Sequence, residues 1–361
     1  MKALRALMVL VLLAVAGGAA YLWYAMAKPY GHIPTTGAFV EIPHGASQRA
    51  VSRILKSKGI IRSSLAFELY ARRHAKHSLL AGQYFFDHPL TGVDVYWKIA
   101  NGDIYEQPFT VKEGDTMFDI ASSLAAAKYM KPADFLNAAR DASQIQDIAP
   151  GAKTLEGFLY PATYNLPLHA TPRDLTGMMV RKFKEALQPV APEQLDPRTP
   201  GTPLLSVITL ASLVEAETPK PDERPLVAGV YTNRLRKDML LQCDPTVIYA
   251  LKQADKYKPP LLLKDLTYDS PYNTYVHGGL PPGPIGNPGE SAIRAALSPA
   301  ATDYLFFVAN TQGGHFFAAT LAEHNQNVAK YHRLLNSQSA DPPVSEARPS
   351  ESAGAGHKGK R

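Results

Sequence analysis

Ala6 to Ala27 is an uncharged stretch of 22 residues standing directly behind the cationic pair Lys2 and Arg5. As a helix rising about 1.5 Å per residue it crosses the roughly 30 Å hydrocarbon layer of a bilayer. Tyr21, Trp23 and Tyr24 lie near its outer end, where amphipathic rings favour the membrane–water boundary. A cleaved signal peptide is the competing reading: its apolar region runs about 7–15 residues, and the small residues between Ala14 and Ala20 keep it open. Lys2, Arg5 and the N-terminal amine outweigh Lys28. The expected orientation therefore puts the N-terminus in the cytoplasm and everything after Lys28 on the outer side of the cytoplasmic (inner) membrane. No second apolar run of this length follows, so a single crossing is expected.

The chain has 361 residues, enough for two or three domains with sizeable cores. Its net charge of +6 suits an anionic partner such as phospholipid or wall polymer, but no dense basic stripe with interleaved aromatics exists, which argues against nucleic acid. The lone cysteine, Cys243, excludes an internal disulfide and a multi-cysteine metal site. His315 and His324 are nine apart and lack ligand spacing, and no GxSxG, P-loop or GxGxxG pattern occurs. Both histidines read as structural, and neither a metal nor a cofactor is expected.

Residues 28–37, with Pro29, Gly31, Pro34 and Gly37, read as a juxtamembrane linker. A strand is expected at Phe39–Pro43, a helix with Val51, Ile54 and Leu55 on one face ending at Gly59, a second helix at Ser64–His74, a strand at Gly82–Phe86 and a short helix at Thr91–Ile99. This order suits a small module with helices on a sheet. Asp115 or Thr116 caps a helix through Ala127, another covers Pro132–Ala142, and Leu175–Leu187 is amphipathic. A proline-rich loop occupies Pro189–Pro203. From Ser337 the chain is Ser, Ala, Pro, Gly and charge without periodicity, and disorder is expected.

Leu204–Thr218 is apolar on all sides and should be a buried helix. Glu215 and Glu217 stand at its far end, turned about 200° apart. Glu217 shares its face with Leu210, Leu213 and Val214, and Glu215 with Leu204, Ile208 and Ala211. Pro219 ends the helix at Thr218. The negative end of the helix dipole and partial burial both disfavour an ionised carboxylate, which is what a general acid requires. Pairing with Arg224 or Arg234 is the alternative for each, and helix geometry does not choose between the two acids. Downstream, Asp244 reads as an N-cap with Pro245 at N1. Gln242 has no such structural role and suits a sugar hydroxyl or amide. Gly278–Gly289, with four prolines and five glycines, is a stiff shaped loop beside Tyr272, Asn273 and Tyr275, groups suited to carbohydrate.

Taken in order, Ala211-Ser-Leu-Val-Glu-Ala-Glu-Thr218, Asn233-Arg-Leu235, Leu241-Gln-Cys-Asp-Pro-Thr-Val-Ile-Tyr249, Tyr272-Asn-Thr-Tyr275, Gly279-Leu-Pro-Pro-Gly-Pro-Ile285, Tyr304–Ala309 and Gly313-Gly-His315 resemble the endolytic murein transglycosylases, the MltG or YceG-like family. Leu155-Glu156-Gly157 with Tyr160-Pro161 adds an upstream motif, and the resemblance covers roughly residues 38–333. It implies that Glu217, the second glutamate of Glu-x-Glu-Thr, is catalytic. It further implies an α+β protein with a membrane anchor, a small LysM-like α/β subdomain at 38–105 and a mixed α+β catalytic domain at 106–335; the residue pattern itself gives residues 1–5 as cytoplasmic, a transmembrane helix at 6–27, a linker at 28–37 and, outside the resemblance, a disordered tail at 336–361. The implied reaction cuts the β-1,4 bond between N-acetylmuramic acid and N-acetylglucosamine in nascent peptidoglycan, leaving 1,6-anhydro-muramoyl ends, beside membrane-bound peptidoglycan synthases. Gln242, Asp244, Tyr272, Asn273, Tyr275, Glu156 and Glu215 are candidate substrate-binding residues. Cys243 stands where the family more usually has Thr, a near-isosteric change that leaves a thiol open to oxidation. Two rival functions are a muramidase, with Glu215 or Asp244 as second carboxylate, and a non-catalytic wall-binding scaffold.

Overall fold

The computed structural model describes residues 2–167, 170–195 and 203–340. Helix α1, Lys2–Ala27, is the one helix among them long and apolar enough to cross a membrane. It is followed by β1 (Ala38–Ile42), α2 (Gln48–Ser57), α3 (Ser64–Arg73), β2 (Gly82–Phe86) and α4 (Gly92–Ala100). Strands β1 and β2 are antiparallel, in register from Ala38↔Phe86 to Ile42↔Gly82. Alternation puts Val40, Ile42, Tyr84 and Phe86 on the inner face, against Val51, Leu55, Phe67, Tyr96 and Ile99. Hydroxyls of Ser47, Ser63 and Thr91 accept the N-terminal amides of α2, α3 and α4. Gly59, with φ +71°, stops α2 as expected.

Residues 28–37 are tied down more closely than a linker. Tyr30 bridges Leu90, and Ala25 and Met26 are buried members of the module's core. Met26 lies so close to Gly92 that a Cβ there would stand 2.8 Å from its Sδ. The C-terminal end of α1 is part of the module that follows it.

The chain divides into two compact units, residues 1–145 with 153–185 and residues 146–152 with 186–361. Strands β3 (Glu106–Thr110) and β4 (Thr163–Pro167), paired antiparallel, and helices α5 (Met117–Ala126), α6 (Pro132–Ala139) and α7 (Pro172–Leu187) group with the first unit. The expected boundary at 105/106 is thus not where compactness divides. Thr116 and Asp119 form a capping box at the start of α5.

In the second unit, α8 (Leu204–Glu217) is the central element. Its apolar circumference is covered by α9 (Arg224–Arg236), α10 (Asp244–Gln253) and α11 (Glu290–Leu297). The Gly/Pro stretch is fastened to it: Ile285 N–H donates to Ser212 Oγ at 3.0 Å and Gly289 N–H to Glu215 Oε2 at 3.0 Å. A hairpin of β5 (Phe306–Ala309) and β6 (His315–Ala318) leads into α12 (Leu321–Ala340). Of the expected tail, 336–340 continue α12 as helix, whereas 341–361, like 196–202 of the proline-rich loop, lie outside the described residues.

Candidate active site

Glu217 is the last residue of α8, where Thr218 turns extended before Pro219. The residue keeps some contact with solvent while its carboxyl group is enclosed by protein. Burial raises its pKa, and the nearby Asp244 carboxylate pushes in the same direction. Three groups oppose the rise: hydrogen bonds from Tyr231 and Cys243, and the charge of His315. Tyr231 sits on α9 with its hydroxyl donating to Glu217 Oε1 at 2.7 Å. It is fully enclosed, and burial lifts its own pKa well above 10, so it stays a donor.

Arg234, one turn further along α9, fastens the surroundings. Its Nε donates to the Leu305 carbonyl at 2.7 Å and its Nη1 to that of Leu241 at 2.8 Å. It thereby joins the start of the hairpin to the segment carrying Cys243. Cys243 N–H donates to Thr274 Oγ1, and Gln242 N–H to the Thr274 carbonyl. The Cys243 thiol is completely buried, and that burial pushes its pKa well up. A protonated, inaccessible thiol is inert, so the expected oxidisability does not follow.

The structure sorts the other expected residues. Gln242 is exposed in the left-handed region (φ +49°), a strain of the kind held at functional sites. Asp244 is exposed and is not the N-cap of α10. Cys243 occupies that position, and Asp244 Oδ1 accepts the Tyr275 hydroxyl at 2.5 Å. Tyr272 is half-buried beside Tyr249, ring centres 4.9 Å apart. These residues share a unit with Glu217 and stay available to a ligand.

Three others have internal duties. Asn273 is fully buried, its amide donating to the carbonyls of Leu266 and Tyr268 and its oxygen accepting Tyr275 N–H, so it shapes the loop. Glu215 is paired at 2.5 Å with the buried Arg224 and accepts Gly289 N–H. Glu156, in the other compact unit, accepts Met117 N–H with both oxygens at 3.0 Å, capping α5. Breaking a buried pair strands a charge, and this makes Glu215 a poor second carboxylate.

Sequence reasoning did not single out Tyr231 or Glu223, and it named Arg234 only as a possible partner of the two acids and as part of Asn233-Arg-Leu235. The i, i+3 spacing of Tyr231 and Arg234 on the helix after Glu217 was the available signal. His315 is not a lone structural histidine: Nδ1 meets Glu223 Oε2 at 2.7 Å, and its N–H donates to Oε1 at 3.0 Å. Gly314 permits this, since a Cβ there would lie 2.1 Å from Glu223 Oε1.

Glu217 thus joins an enclosed carboxyl to two hydrogen-bond donors, an arrangement able to hold and release a proton, on an α+β scaffold. The YceG-like family model matches residues 40–330, and the chain belongs to that family. It is 34% identical over 332 residues to the endolytic murein transglycosylase of Bacillus subtilis strain 168, covering 88% of this chain and 91% of that one. It is 29% identical over 322 residues to that of Streptococcus pneumoniae serotype 2 strain D39, covering 81% of this chain and 58% of that one. The 2.6 Å crystal structure of a YceG-like protein from Listeria monocytogenes is 34% identical, covers 81% of this chain and 99% of its own, and superposes with a TM-score of 0.54.

Raising the folded-state pKa of Glu217 means that the folded protein holds a proton the unfolded chain releases, so stability falls as pH rises from the unfolded value through the folded one. Glu217→Gln removes that dependence. Melting temperatures of variant and wild type should differ by a constant at about pH 4 and below, with the gap moving in the variant's favour towards neutrality. A gap that stays flat with pH contradicts the raised pKa.

Proposed function

We propose that the chain is an endolytic lytic transglycosylase that cleaves the β-1,4 bond between N-acetylmuramic acid and N-acetylglucosamine in peptidoglycan. The observation that carries this reading is the enclosed carboxyl of Glu217, whose pKa burial raises while Tyr231 and Cys243 support its ionised form. Protonated Glu217 donates to the leaving glycosidic oxygen as the bond from the anomeric carbon breaks. The resulting carboxylate takes the proton from the muramoyl 6-hydroxyl, whose oxygen closes onto the same anomeric carbon. No water is consumed, the product ends in a 1,6-anhydro ring, and the acid is restored. Enclosure keeps the proton on at rest, and the two donors prevent the carboxylate from becoming too costly in between.

An internal nucleophile needs no second carboxylate, in keeping with the engagement of Glu215 by Arg224. Gln242, Asp244, Tyr272 and Tyr275 form the rim assigned to the glycan. The β1–α2–α3–β2 module is assigned as LysM-like and wall-binding. Helix α1 is assigned as a single-pass anchor with its N-terminus in the cytoplasm, which brings the enzyme to nascent strands beside membrane-bound synthases, where cleavage ends their elongation.

Purified protein on uncrosslinked glycan should release products one water lighter than hydrolysed ones, and Glu217→Gln should lower the rate by a factor of about 10² or more. Reducing ends alone, or a normal rate in the amide variant, overturns the reading. Tyr231→Phe removes a donor that favours the carboxylate, so the fall of activity at alkaline pH should move to higher pH. An unmoved or lowered limb contradicts the assigned role of Tyr231.

A further inference from the structure

The junction between α1 and the first module carries a feature that a simple anchor does not need. Arg62, just before α3, places its guanidinium 4.7 Å from the ring centres of both Tyr24 and Tyr30. Its Nη2 donates to the Pro29 carbonyl, and its Nε is buried without a hydrogen-bond partner. Tyr24 belongs to the aromatic group at the end of α1, whose rings favour the depth of lipid headgroups. Stacking on Tyr24 therefore sets the start of α3 at that same depth. Burial of Ala25 and Met26 in the module core makes the placement stiff.

Helix α3 buries Ala66, Phe67 and Ala71 but leaves Leu65 58% and Leu69 44% exposed. Leu65, Leu69 and Arg73 follow at four-residue spacing along one stripe; the neighbouring Arg72 is ion-paired with Glu68 at 2.5 Å. Two exposed leucines leading to Arg73, continuous with the exposed Trp23 and Tyr24 of α1, make the pattern of a helix lying in a membrane interface. The arginine stem can run over apolar surface while its head reaches phosphate.

We propose that α3 is a second membrane contact: Leu65 and Leu69 rest in the headgroup–acyl boundary of the phospholipid bilayer that α1 spans, while Arg73 meets lipid phosphate. The module is then held at a fixed tilt on the membrane surface. This rests on the assignment of α1 as a membrane anchor.

The test uses full-length protein in nanodiscs of phosphatidylethanolamine and phosphatidylglycerol. A polarity-sensitive fluorophore is attached to Leu65→Cys, Leu69→Cys, Leu10→Cys within α1, or Ser122→Cys on the exposed face of α5. Cys243, being buried, escapes labelling, and the parent chain checks this. Quenching by spin-labelled lipid is compared with quenching by aqueous iodide. At positions 65 and 69 the ratio of lipid to aqueous quenching should exceed that at 122 by about threefold or more. Labels at 65 and 69 that behave like 122, or are shielded from both quenchers, overturn the second contact while lipid quenching at position 10 preserves the anchor. A position 10 that lipid does not quench overturns the anchor and this proposal with it.

Discussion

The site depends on withdrawing one carboxyl from water. Glu217 ends a helix that is apolar on every side, so its carboxyl emerges among buried neighbours although the residue keeps some contact with solvent. Removing a carboxylate from water is costly, and the group answers by holding its proton. The neighbouring donors set the limit of this effect. The Tyr231 hydroxyl reaches Oε1 and the Cys243 thiol adds a second bond, so the charged form is disfavoured without being forbidden. The proposed reaction asks Glu217 to give a proton and then take one back within a single turnover, and that intermediate position suits it.

The surrounding architecture keeps this enclosure in shape. Arg234 uses three backbone carbonyls, those of Leu240, Leu241 and Leu305, to hold two distant segments against α9. Glu215, two residues from Glu217 and on another face, joins Arg224 to the Gly/Pro loop through Gly289. The two glutamates thus divide the work: one is held available, the other is committed to scaffold. Asn273 and Thr274 fix the turn below Tyr275, which in turn holds Asp244.

Much of this was readable in the residues. The all-round apolar pattern of 204–217, the stop at Pro219 and the β-α-α-β order of 38–86 follow from periodicity and capping, and the structure has them. Helix geometry could not choose between Glu215 and Glu217, because the choice depends on Arg224, a residue brought in by the next helix. Asp244 followed local capping statistics in the sequence, but a tertiary partner, Tyr275, claims its carboxylate. Asn273 looked like a sugar ligand because amides serve both purposes, and only its complete burial separates them. Of the strands β3 to β6, which escaped notice, β3 carries Pro108 in its middle and β5 is an unbroken apolar run, so neither has the alternation of Phe39–Pro43.

The most direct test is a carbon-13 NMR titration of protein labelled at the glutamate side-chain carboxyl, with Glu217→Gln to identify the missing resonance. The account predicts that this resonance titrates at a higher pH than the bulk of the glutamates, with Glu223 below them. A Glu217 signal that titrates with the bulk, or beneath it, would contradict the claim that enclosure keeps the proton in place.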